Sequence, residues 1–325
     1  MLQTLIHRIM QFDHRRARKM IEELETGSET KASMLAAFER KVELSGDAMF
    51  FFNEPFAPIS LTGTSCPHQC RHCGSYYLKH MLDGSDGKLY SQAADLAQKG
   101  AKGILLSGGS SGDGSVPSYA HAEVIKKIKQ DKKLKISAHT GIVNSSQAQV
   151  LSGFLDMALV DVIGDDGTVH DILNLDAGAE DYERTLKELS SAGIALAPHI
   201  IVGLDNGKLK GEIRALEIAK EFDPEAIVIV VFIPTGGTDL AEIAPPDIED
   251  VVRVITEARM MFNVPLSLSC VRPGGRYRST LDTYAILSGI DRIAVPSRSA
   301  YTTSRRLGLS VIEVPKMCCS YKVSI

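Results

Sequence analysis

Apolar residues along this chain follow two different periods. Near the N-terminus Leu2, Leu5, Ile6, Ile9 and Phe12 recur at helical spacing, predicting one amphipathic helix over about Leu2–Leu24. Thr26-Gly27-Ser28 interrupts it. A second helix is expected over Thr30–Leu44, with Met34, Leu35, Phe38 and Val42 along one face. The pair reads as a helical extension, residues 1–50, packed on the main body. After it the chain alternates. Short β-branched or apolar runs lie at Ile59–Gly63, Gly103–Ser107, Leu134–Ala138, Leu159–Gly164, Ala195–Val202, Ile227–Ile233, Pro265–Cys270 and Arg292–Val295. Segments of helical period separate them, among them Tyr119–Gln130, Asp181–Ala192, Leu209–Phe222 and Ile248–Phe262. Strands alternating with helices imply parallel βαβ units. Eight units joined by right-handed crossovers predict an α/β fold, a (β/α)8 TIM-type barrel, over residues 51–325. An open doubly wound sheet is the alternative, but no G-x-G-x-x-G opens the first helix.

A barrel puts its chemistry just after the strands, on the C-terminal face. Several unusual residues fall there: Cys66–Cys73 after the first expected strand, Ser107-Gly108-Gly109-Ser110 after the second and His139 after the third. Asp165 follows the fourth, Gly203 the fifth, Pro234–Thr238 the sixth, Cys270–Arg272 the seventh and Pro296–Arg298 the eighth. Asp165 either offers a carboxylate to a ligand or caps the next helix. His139 either faces substrate or is a hydrogen-bonded residue of the barrel mouth.

Composition narrows the function. With 325 residues and 44% hydrophobic content the chain supports one large core. A net charge of −4 argues against a nucleic-acid partner. No run of 18 apolar residues exists to cross a membrane. Charged residues within the first 20 positions break up any secretory signal, so a cytoplasmic location is expected. In that setting six clustered cysteines read as metal or redox ligands, not as a disulfide scaffold.

Three of them form Cys66-Pro-His-Gln-Cys70-Arg-His-Cys73, a C-x3-C-x2-C spacing. Soft, anionic thiolates suit an iron–sulfur cluster, and three within eight residues can hold three corners of a cubane, leaving one iron for another ligand. Zinc sites more often pair two separated C-x2-C knuckles, and none is present.

This triplet, with His72 as the ring before the last cysteine, resembles the radical S-adenosylmethionine (SAM) superfamily. The resemblance implies that Cys66, Cys70 and Cys73 hold a [4Fe–4S] cluster whose open iron binds SAM. An electron from a low-potential donor then cleaves SAM to a 5′-deoxyadenosyl radical, which abstracts an unactivated hydrogen. It also implies that Ser107-Gly108-Gly109 approaches SAM, with Ser110 where the family carries a glutamate. His199-Ile-Ile-Val-Gly203 resembles the fifth strand that lies along the adenine.

Cys270, Cys318 and Cys319 remain. Cys270 ends the seventh expected strand, and a tail carrying Cys318 and Cys319 can fold over the barrel mouth. Three thiolates and one other ligand, from Ser320, Arg272 or substrate, would make a second [4Fe–4S] cluster. The barrel as a whole resembles the biotin synthase-like branch. Arg272-Pro-(x)2-Arg276-Tyr-Arg278 and Met317-Cys-Cys-Ser320 are similar to one subunit of a two-component lipoyl synthase. That resemblance implies sulfur insertion into an octanoyl chain on a carrier protein, with a second radical SAM protein as partner. The alternative is a biotin synthase-like radical SAM enzyme acting on a small molecule without sulfur transfer.

Overall fold

The computed structural model describes residues 14–323. Helices α1 (His14–Glu22) and α2 (Ser28–Ser45) come first; the part of the first expected helix before His14 lies outside the described residues. Then follow β1 (Ala48–Phe52), β2 (Ala57–Ser60), the short β3 (Leu82–Asp83), α3 (Leu89–Gln98) and β4 (Gly103–Ser107). The chain continues through α4 (Ala122–Lys132), β5 (Lys135–His139), α5 (Ser145–Ser152), β6 (Met157–Asp161), α6 (Asp166–Leu173) and α7 (Ala179–Ser191). It goes on through β7 (Leu196–Val202), α8 (Glu212–Lys220), β8 (Ile227–Val231), α9 (Ile248–Met261), β9 (Leu266–Leu268) and α10 (Gly275–Leu287). It closes with β10 (Arg292–Ala294), α11 (Arg298–Leu307) and β11 (Ser310–Glu313).

All eight expected strands are present, and β1, β3 and β11 join them. The eleven form one parallel sheet, ordered β11-β1-β10-β9-β8-β7-β6-β5-β4-β2-β3. The sheet curls into a half-barrel. Its two ends, β11 and β3, are not joined by hydrogen bonds among the described residues, so the ring stays open where a closed eight-stranded barrel was expected. β1 spans position 50, the expected border of the helical extension, and pairs with both β10 and β11.

The strands are mostly apolar, and successive side chains point to opposite faces. On β1, Met49 and Phe51 join the large core under the helices, while Ala48, Phe50 and Phe52 face the barrel interior. On β8, Ile227, Ile229 and Val231 face outward and Val228 and Val230 inward. Helix α2 packs on α9 and α10. It is tied down by Lys41, whose buried Nζ donates to the carbonyls of Gly46 (2.8 Å) and Ala48 (2.6 Å). Asp291 is a second anchor. It accepts from Ser45 Oγ (2.7 Å), Arg259 Nη1 (3.0 Å) and the Leu266 amide (2.8 Å), joining α2, α9 and β9 at the start of β10.

The C-terminal tail departs from expectation in its path: it lies inside the half-barrel instead of across its mouth. Tyr321 packs its ring 5.6 Å from Phe56, and its hydroxyl accepts from Ser137 Oγ (2.9 Å). Lys322 pairs with Glu225, just before β8, which sets the tail's end at the N-terminal rim. The reason is volume and chemistry: small inward residues such as Ala48, Ala197 and Ser267 leave room, and Cys319 and Tyr321 fill it.

Candidate active site

The cysteine loop follows β2 and is held from two sides. Helix α6 ends beneath it: Arg71 N–H donates to Ile172 O (2.8 Å), Cys70 Sγ to Leu173 O (3.1 Å), and Asn174 Nδ2 to the carbonyls of His68 and Gln69 (both 3.1 Å). On the other side the end of β4 fits against it. A Cβ on Gly109 would lie 2.1 Å from Ser65 O and 2.7 Å from the Cα of Cys66, so only glycine lets the loop sit this close. Thr62 Oγ1 accepts from the Gly109 amide (2.7 Å) and locks the approach. Gly108 packs on Thr62, and Ser110 is half-buried next in line; Ser107 is buried and its carbonyl accepts from Leu61 N–H (2.8 Å).

The three thiols are half-buried. Cys70, His72 and Cys73 have donor atoms within 4.8 Å of one another, the one such group of three among the described residues; Cys66 stands outside it. A hydrogen bond between Cys70 and Cys73 pushes the Cys70 thiol up and holds Cys73 below its ordinary value, the usual mark of two thiols sharing one proton. The imidazole of His72 is buried, its Nδ1 has no partner, and burial pulls its pKa down to about 4. Three thiols on one loop, with an unpartnered ring nitrogen and a glycine cradle beside them, fit an iron–sulfur cluster.

Below the loop, inward positions of β5, β6 and β7 bring together His139, Asp161 and His199. His139 Nδ1 lies 3.3 Å from Asp161 Oδ2, and the His139 and His199 rings meet edge to face at 5.2 Å. Burial opposes the charge on His139, and Asp161 more than offsets it, so its pKa is raised. His199 is driven down to about 4 by burial and by His139, and its Nδ1 bonds Ala197 O (2.9 Å). Asp161 also feels His72. A half-exposed carboxylate thus connects the cysteine loop to the barrel interior. Sequence reading singled out His139 and missed Asp161. The available signal was period two: 139, 161 and 199 each fall on the inward register of a strand.

Other expected site residues have different work. Asp165 caps α6, accepting from Thr168 N–H (2.7 Å) and Thr168 Oγ1 (2.8 Å), with Lys210 3.2 Å away. Gly203 has φ +78°, and a Cβ there would fall 2.7 Å from Pro246; its amide donates to Glu212 Oε1 (2.8 Å). Arg272 is a correction to the expected cofactor or cluster contact. It is 1% exposed and its donors are spent on Asp282 (3.0 Å from Nε), Ala294 O (2.8 Å) and Val295 O (3.2 Å). A guanidinium so occupied cannot also serve a ligand. It holds Val295, a β-branched residue at φ +50°, in a strained turn after β10.

The remaining cysteines do approach one another, inside the barrel. Cys318 and Cys319 are linked by a thiol hydrogen bond, which holds Cys318 down and raises Cys319. Cys318 Sγ is 3.3 Å from Ser320 Oγ. Cys270 is pushed up by burial first and by Cys318 second. Cys318 also senses His139, so the two cysteine groups are joined through His139 and Asp161.

No protein-family model matches the chain. Among curated proteins, biotin synthase of Zymomonas mobilis subsp. mobilis is 26% identical over 244 residues, covering 69% of this chain and 67% of its own length. Biotin synthase of Acinetobacter baylyi is 25% identical over 232 residues, covering 63% and 64%. The chain thus matches about two thirds of each relative. Among solved structures, methylornithine synthase (PylB) superposes with a TM-score of 0.63 at 15% identity, over 94% of this chain and 95% of that one. HydG, a maturase of the [FeFe]-hydrogenase, gives 0.64 at 15% identity over 94% and 76%. A parallel half-barrel with this cysteine loop after β2 is the architecture of the radical SAM superfamily. The chain is similar to biotin synthases over about two thirds of its length and shares its fold with methylornithine synthase and HydG.

Proposed function

We propose that this protein is a radical SAM enzyme that inserts sulfur into an octanoyl chain carried by a protein, working with a second radical SAM protein. The observation that carries the reading is that Cys270, Cys318 and Cys319 belong to one interior cluster of the barrel, apart from the loop of Cys66, Cys70 and Cys73. When bound, a [4Fe–4S] cluster on that loop, with SAM and an electron from a low-potential donor, supplies hydrogen abstraction from an unactivated carbon. The chain's own residues arrange the rest. Gly109 and Thr62 seat the loop, and Asp161 holds His139 toward the interior. Phe50, Phe52, Leu159 and Val230 pack with Cys319 and Tyr321 in an apolar interior that holds the tail beside Cys270. Cys270, Cys318 and Cys319 supply the soft donors for a second cluster as sulfur source. Six free cysteines suit a reducing, cytoplasmic setting.

The test is anaerobic incubation of reconstituted protein with its partner, SAM, reductant and an octanoylated carrier, read by mass spectrometry of the carrier. Sulfur in the octanoyl chain, together with deoxyadenosine, is the expected result. Deoxyadenosine without sulfur transfer would favour the second reading, a radical SAM enzyme acting on a small molecule. One observation stands on its side: Cys270, Cys318 and Cys319 do not close to within 4.8 Å of one another.

A further inference from the structure

Three arginines are buried among the described residues, and two of them have a carboxylate partner. Arg259 meets Asp291 at 3.0 Å and Arg272 meets Asp282 at 2.9 Å. The third, Arg292, is 4% exposed and has no carboxylate within ion-pair distance among the described residues. Its neighbour Asp291 is already taken by Arg259, Ser45 and the Leu266 amide. Arg292 sits on β10 in register with Ser267 of β9 and Phe50 of β1, all three directed into the barrel. Its Nη1 donates to the carbonyl of Cys319 (2.9 Å), a carbonyl that Ser267 Oγ also holds (2.9 Å). Its Nε is buried without a partner.

A guanidinium removed from water without an ion-pair partner is unfavourable. Burial opposes its charge, and the carboxylate of Asp291, bonded elsewhere, supports it from outside ion-pair distance; its direct contact is with the backbone of Cys319. Three thiols become thiolates on binding iron and sulfide, and the assembly is anionic. The site therefore already contains the cation that an anionic occupant needs, fixed to the backbone of a ligand residue.

We propose that Arg292 is the buried counter-charge of an iron–sulfur group held by Cys270, Cys318 and Cys319, and that it sets that group's reduction potential. The proposal rests on the second-cluster reading given above. It makes Arg292 a positioning residue: it touches the backbone of Cys319 and keeps a buried Nε–H unpartnered. A fixed positive charge favours the reduced, more negative state, so its removal lowers the potential.

The experiment uses full-length protein with Cys66, Cys70 and Cys73 replaced by Ala, reconstituted with iron and sulfide, so that only the second site can load. Iron content and an EPR-monitored redox titration are read for this parent, for R292M and for R292K in the same background. R292M is expected to bind less iron and to shift the oxidised-to-reduced ratio at least tenfold toward the oxidised form, about 59 mV for one electron. R292K keeps the charge and is expected to stay near the parent. An unchanged potential and iron content in R292M overturns the role of Arg292 alone, as does R292K shifting as far as R292M. A parent that binds no iron overturns the second cluster and this role with it. Should R292M fail to fold, pulsed EPR on the parent grown with 15N-arginine decides: nitrogen coupling to the reduced cluster is expected, and its absence overturns the proposal.

Discussion

Gly109 shows how much of this site rests on a single hydrogen atom. Its missing side chain is what allows Ser65 and Cys66 to cross the end of β4. G109A should push the loop outward, cost about 1–3 kcal/mol as an overpacking change and lower iron loading at the first site. Thermal melting and iron analysis of the purified variant check this; full loading at an unchanged melting temperature would contradict it. Replacement of Cys66, Cys70 and Cys73 by Ala should instead abolish deoxyadenosine formation and leave the fold intact, since the thiols are half-buried and add little to the core. At this scale the sequence was informative where the signal was local. Three cysteines within eight residues declare themselves by spacing. Asp161 did not, because its partners His139 and His199 sit on neighbouring strands, and only the pairing of β5, β6 and β7 brings the three together. Arg272 misled for the same reason: its partner Asp282 lies ten residues on, and nothing in the motif indicates a buried pair.

Between elements, buried charges fasten the layers. Asp282 neutralises Arg272 with both side chains fully buried, linking the end of β9 to α10. D282A leaves a guanidinium unpaired and should destabilise by about 3–5 kcal/mol, read from urea unfolding, whereas replacing both residues with apolar ones of similar volume should cost much less. Lys41, between α2 and β1, makes a prediction about pH. Burial lowers its pKa from 10.5 to about 8 in the folded chain. Between those values the unfolded chain holds a proton that the folded chain has released, so stability rises with pH across that window, by up to about 1.4 kcal/mol per pH unit for one group. K41M should lack this rise, so the stability of the parent relative to K41M should increase between pH 8 and 10.5. A difference that does not change with pH would refute this. The β-branched runs foretold eight strands because continuous apolar stretches bounded by turns are what a doubly covered parallel sheet requires. Ala48–Phe52 was overlooked because it follows a helix directly and carries no alternation, and β3, at two residues, is too short to leave a pattern.

Across the whole molecule, the tail changes the picture most. Sequence order suggested a flap over the mouth. The folded chain instead threads Cys318–Tyr321 into the barrel, so its floor is built from its own C-terminus. That path places one group of thiols at the mouth and another deeper inside, with His139 and Asp161 between them. Truncation after Lys316 should therefore empty the interior, removing Cys318, Cys319 and Tyr321 together. Iron at the second site should be lost, while the first site still loads; loss of both would mean that the tail is needed for the fold itself. No helix among the described residues is long and apolar enough to cross a membrane.

The central claim is that Cys66, Cys70 and Cys73 form a radical SAM centre. Its most direct test is to reconstitute the protein anaerobically with iron and sulfide, add SAM and a low-potential reductant, and measure 5′-deoxyadenosine by chromatography. The account predicts deoxyadenosine from the parent and none from the triple-Ala variant. A fully loaded parent that leaves SAM intact, or a triple-Ala variant that cleaves it as well as the parent, would contradict it.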